Sequence, residues 1–162
     1  MFCDSRRQGL GNNYDHGLRG RMFLLSTGQV RRPTKSRISR KVSSVEDFKK
    51  CLARVPAAVD LSFSGYSEPW LNPDCTEMVE HAHASGHGIR ISTSLVGMNG
   101  RDLRHLQALD FRVFLVHVFE DGTYMNSGLV GRKYVDLMRQ LIDAEVSSLL
   151  FMVLGEIHPN LV

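Results

Sequence analysis

The run Ser64-Gly65-Tyr66-Ser67-Glu68-Pro69-Trp70-Leu71-Asn72-Pro73 gathers residue types that can meet a ligand. Small side chains and a glycine allow close backbone approach. A carboxylate follows at once, and Pro69 stiffens the turn behind it. Glu68 is either an acceptor for a ligand ammonium or hydroxyl, or a solvated carboxylate in a tight turn. A second group, Thr93-Ser94 followed by Val96-Gly97-Met98-Asn99-Gly100, offers hydroxyls that either meet a polar ligand or cap the next helix. His117 precedes Glu120-Asp121-Gly122, and as a single histidine it is either a site residue or a satisfied structural one. Gly155-Glu156-Ile157-His158 is a further ligand corner or a tail without a partner.

Other chemistries lack their residues. His83 and His87 stand four apart, but Gly86 lies between them and the string EHAHASGH contains no HExxH pattern. No phosphate-binding GxxxxGK[ST], no GxGxxG and no GxSxG nucleophile turn occurs. Cys3, Cys51 and Cys75 are too scattered for a disulfide framework or a metal spacing. Cys51 and Cys75 read as small apolar residues on helices.

These segments need elements to hold them, and the periodicity supplies the elements. Ser44 caps a helix with Asp47 three residues on, near a capping box, and Val45, Phe48, Leu52 and Val55 share its face until Pro56 stops it. The run 58–63 (AVDLSF) reads as a strand. Asn72-Pro73-Asp74 opens a helix over 74–85, closed by Gly86. Ile89–Thr93 is a strand, 99–109 a short helix, and 113–118 a strand. A helix over 131–144 turns Tyr134, Leu137, Met138 and Leu141 inward, and 149–154 (LLFMVL) is the last strand. Met22–Ser26 is a further candidate strand ahead of the first helix. The order (β)αβαβαβαβ predicts a parallel sheet with right-handed crossovers and strands covered on both faces. Four or five βα units suit a partial barrel or an open doubly wound sheet. In both, chemistry gathers at the carboxyl ends of the strands.

The chain has 162 residues, 43% apolar and 23% charged, which suits one globular domain and excludes wholesale disorder. No apolar run reaches the roughly 18 residues that span a bilayer, and the first twenty residues lack the apolar stretch of a secretory signal. A cytoplasmic protein is expected. Charge divides the chain: residues 1–50 carry twelve Lys/Arg against four Asp/Glu, and residues 51–162 carry eight against thirteen. The reading is a basic, irregular arm over 1–42 and an α/β domain over 43–162. Arg31, Arg32, Lys35, Arg37, Arg40 and Lys41 could neutralise phosphates, but no interleaved aromatics accompany them, so nucleic acid is not expected as a partner.

The segment VDLSFSGYSEPWLNPDCTEMVEHAHASGHGIRISTSLVGM, with SVEDFKKCLARVP before it and FRVFLVHVFEDGTYMN after it, resembles the radical S-adenosylmethionine family over about residues 43–150. SGYSEPWLNP is its most specific part and resembles the family's Gly-Gly-Glu-Pro-like turn. The resemblance implies a partial parallel (β/α) barrel, related to the TIM barrel, that binds S-adenosylmethionine at its mouth. The turn carries over to Gly65, Tyr66, Ser67, Glu68 and Pro69, with Tyr66 and Ser67 where the pattern has glycines. It would hold the methionyl amine, and Ser92, Thr93 and Ser94 would lie near the cofactor. The family also holds a 4Fe–4S cluster with three thiolates in a CxxxCxxC loop. The equivalent stretch here, 26–43, contains no cysteine, and Cys3 lies too early and alone. The expectation is therefore a truncated or frame-altered member or, alternatively, a degenerate, non-catalytic half-barrel that keeps the fold as a small-molecule or protein/nucleic-acid binding module. An open sheet edge would then favour self-association or a missing partner segment.

Overall fold

The computed structural model describes residues 42–65, 67–122 and 125–162. The arm over 1–41, the expected strand at Met22–Ser26 and the site candidate Tyr66 lie outside the described residues. Among the described residues, four α-helices and four strands alternate: α1 (Val45–Leu52), β1 (Leu61–Phe63), α2 (Cys75–Ala84), β2 (Ile89–Thr93), α3 (Gly100–Leu106), β3 (Val113–His117), α4 (Arg132–Asp143) and β4 (Leu149–Met152). The strands form one sheet in chain order β1-β2-β3-β4, parallel throughout. Helix α1 packs on α2, α2 on α3 and α3 on α4. Among the described residues no helix is long and apolar enough to cross a membrane.

Local chemistry explains the boundaries. Ser44 Oγ accepts the Asp47 N–H at 3.2 Å and starts α1. The helix ends at Leu52, three residues short of the predicted Val55, as the Arg54 and Val55 N–H groups bond to Cys51 and Leu52 carbonyls in a tighter turn. Strand β1 starts at Leu61 rather than 58, since the Val59 N–H closes a turn on the Pro56 carbonyl. At α3 a full capping box joins Asn99 and Asp102, and the helix stops at Leu106 rather than 109. Strand β3 ends one residue and β4 two residues before the predicted limits. Three 3-10 turns, Pro69–Leu71, Ser127–Leu129 and Pro159–Leu161, were not predicted.

Among the described residues, coverage of both sheet faces is not observed. Burial alternates along β1, β2 and β3. Leu61, Phe63, Ile89, Ile91, Thr93, Phe114 and Val116 are buried and join the core formed with the four helices. The opposite face carries Ser62, Arg90, Ser92, Leu115 and His117, which are half-buried or exposed. A strand with period-two burial has one packed face, whatever its overall apolar content. The corrected picture, for the described residues, is a parallel sheet packed on one face with its helices in a single series. Cys51 also departs from expectation: it lies on α1 but is exposed, whereas Cys75 is buried on α2.

The final residues are not an unpartnered tail. Glu120 and Ile157 form an antiparallel bridge. The Asp121 N–H bonds to the Glu156 carbonyl at 3.0 Å and the His158 N–H to the Phe119 carbonyl at 3.1 Å. Asn160 Nδ2 donates to the Val130 carbonyl at 3.0 Å, tying this strap to the approach to α4.

Candidate functional site at the carboxyl edge of the sheet

Glu68 sits five residues beyond β1, and the residue after it shapes its backbone. A residue before proline is pushed to extended geometry, and Glu68 has φ −61° and ψ 128° at the start of the Pro69–Leu71 turn. That turn is pinned from below. Trp70 is buried; its indole Nε1–H donates to Thr76 Oγ at 3.0 Å, and the Thr76 hydroxyl donates to Asp102 Oδ1 at 2.7 Å. One side-chain chain thus links the turn to α2 and to Asp102, the capping-box partner of Asn99 in the first turn of α3.

The Glu68 carboxylate then reaches across to the end of β2. Oε1 accepts the Thr93 hydroxyl. Oε2 accepts the Ser94 N–H at 2.8 Å and the Ser94 hydroxyl at 2.7 Å. Thr93 Oγ also accepts the Leu95 N–H at 2.8 Å. Leu95, at φ 65°, holds a left-handed conformation that costs a non-glycine residue energy, and this bond steadies it. Glu68 is therefore not a solvated turn residue, and Thr93 and Ser94 do not cap α3; Asn99 does. No Lys, Arg or His of the described residues pairs with Glu68.

Ser92, one residue back on β2, faces the uncovered side. Its Oγ lies 2.8 Å from His117 Nε2. Burial lowers the His117 pKa below its ordinary value, with the Glu68 charge acting the other way. The Cys75 thiol is pushed up to about 12 by burial, with the Glu68 and Asp102 charges adding to it. The Tyr134 phenol is raised by burial and then by Glu68. Groups from α2, β3 and α4 therefore all feel one carboxylate at the carboxyl edge.

The predicted residues separate as follows. Glu68, Thr93 and Ser94 are brought into contact, and Ser92 pairs with His117 instead. Ser67 is exposed, and Pro69 acts through the backbone. Gly65 has φ 150°, open to glycine, and a Cβ there would meet nothing within 4 Å, so its backbone borders open space. Glu120, buried after β3, accepts the Gly122 N–H at 3.0 Å and the Met125 N–H at 2.6 Å. His87, beyond the end of α2, has its Nδ1 2.9 Å from the Val59 carbonyl oxygen, and no group of three metal-ligating side chains occurs among the described residues.

Sequence reasoning missed two features. Tyr134 was placed as an inward core residue, yet its hydroxyl is buried without a hydrogen-bond partner. Its signal was available, since it is the one polar-tipped residue on the inward stripe of α4. The Asn99–Asp102 box was also legible from its spacing. No protein-family model matches the chain, and neither a curated protein nor a solved structure matches it.

Proposed function

We propose that this chain is a partial βα barrel of the radical S-adenosylmethionine type that binds a small cationic ligand, the adenosyl sulfonium, at the carboxyl edge of its sheet. The observation that carries it is the clamped Glu68 carboxylate, held by Thr93 and Ser94 and paired with no Lys, Arg or His of the described residues. An uncompensated carboxylate with acceptor capacity to spare attracts an ammonium or sulfonium. The barrel half of the reading draws on strand order. The strands follow chain order without reversal and successive helices touch, an order that supports barrel winding, since a doubly wound sheet reverses at a switch point.

The residues do not fit a 4Fe–4S cluster. Cluster iron needs thiolates, but the Cys75 thiol is buried and pushed up to about 12. Cys51 stands alone on α1, and no cysteine occurs over 26–43. The proposed role is thus binding, without radical chemistry on this chain's own ligands, and the substrate of any larger reaction is not part of it. The cytoplasm is the proposed compartment, where an exposed thiol such as Cys51 stays reduced.

Calorimetry on the full chain with S-adenosylmethionine tests the binding half. The wild type is expected to bind, and Glu68→Gln to bind about tenfold more weakly, the value of one charge-assisted hydrogen bond. Equal heats for both proteins remove Glu68 from the site. Incubation with iron and sulfide is expected to give no cluster absorbance, and a stable visible band overturns the cluster-free half.

A further inference from the structure

Among the described residues, Tyr134 Oη is the one buried side-chain oxygen or nitrogen with no hydrogen-bond partner. The residue is 8% exposed, in the first turn of α4. Its ring is fixed edge-on against Phe119, with centroids 5.1 Å apart and planes at 86°. Phe119 lies just beyond β3, so the phenol stands at the same carboxyl edge as Glu68. Around it Thr93, Ser94 and Glu68 are paired with one another, Ser92 with His117, and Glu120 with turn N–H groups.

A buried hydroxyl without a partner is a standing cost to the fold, and native proteins seldom keep one unless something else uses it. We propose that the Tyr134 hydroxyl is the donor for the carboxylate of an α-amino-acid head group whose ammonium is held at Glu68. The proposal rests on the reading of Glu68 as the cation site. Its chemistry is complementary: Glu68 is purely an acceptor, and a zwitterionic head group needs one acceptor for its ammonium and one donor for its carboxylate. Burial raises the phenol pKa, and the Glu68 charge adds to this, so the group remains a donor through neutral pH. The hydroxyl is closed off from bulk water, so the proposal requires the packing over it to part when the head group arrives.

The test uses L-methionine, L-methionine methyl ester and S-adenosylmethionine with the full-length wild type, Tyr134→Phe and Glu68→Gln. Without ligand, Tyr134→Phe is expected to melt at the wild-type temperature or above, because it removes an unpaired polar atom. A lower melting temperature means the hydroxyl already has a structural partner and overturns the proposal. With ligand, wild type is expected to favour methionine over its ester by about tenfold, and Tyr134→Phe to lose that preference. Equal affinity of wild type for acid and ester also overturns it, without any variant. If S-adenosylmethionine binds in a Glu68-dependent way while Tyr134→Phe changes nothing, this inference fails and the cation site stands. If the wild type binds none of the three, both fail.

Discussion

At the scale of single residues, the Thr93 hydroxyl does two jobs at once. It donates to Glu68 and accepts from the Leu95 N–H, so Thr93→Val leaves an acceptor and a donor short of one bond each. The expected loss is about 1–3 kcal/mol in chemical denaturation, and Thr93→Ser should retain most of the wild-type value. Identical midpoints for Val and Ser would show that the hydroxyl contributes nothing. His117 gives a pH signature. Its folded pKa is lowered by burial, so the unfolded chain binds a proton that the folded chain resists. Its contribution is complete above the ordinary histidine pKa of about 6.5 and is lost as pH falls below that value. Thermal melts from pH 8 to pH 5 should show wild type losing more stability than His117→Gln. Parallel curves would mean that the ring titrates as it does in the unfolded chain.

Between elements, the close approach is that of the β2–α3 loop to the Pro69–Leu71 turn. Gly97 has φ 87°, and a Cβ there would fall 2.4 Å from the Trp70 carbonyl oxygen. Gly97→Ala must therefore push apart the two segments that Glu68 joins, in a conformation that alanine resists. The expected cost is more than about 1 kcal/mol, several degrees in melting temperature, together with weaker binding of S-adenosylmethionine. An alanine variant that melts and binds as wild type does would separate this contact from the site. Such contacts mark the limit of what was legible beforehand. Element type and order were readable because Phe48, Leu103, Leu137 and their neighbours repeat at helical spacing, and Ile89–Thr93 matched to the residue. Strand coverage was not, because IRIST and VFLVH are apolar enough to hide an alternation that burial reveals. Glu68 could be singled out from its turn, but its partners could not. Hydrogen bonds between residues 25 and 26 apart depend on how β1 and β2 register, which no local pattern encodes.

For the molecule as a whole, the unresolved stress lies at β4. Among the described residues it has a neighbour on one side only, and no charge or proline guards Leu149 to Leu154. Parallel register places Leu150 beside Leu115 and Phe151 beside Val116, so the two side chains point to opposite faces of the sheet. Leu150 is 53% and Phe151 48% exposed. Natural edges are blunted by charges, prolines or bulges because bare strand edges pair with other chains. The β1 edge has some of this protection, with only three residues and Asp60 just before it in ion pairs with Arg90 and Arg112. The β4 edge has none and adds apolar area on both faces. The full chain is therefore expected to self-associate through β4, with a sedimentation coefficient that rises with concentration. Leu150→Lys should restore the monomer without lowering the melting temperature, since the lysine reaches water from an already exposed position. A wild-type chain that remains monomeric at every concentration would mean that this edge is already covered. Association that survives Leu150→Lys would move the interface elsewhere on the molecule.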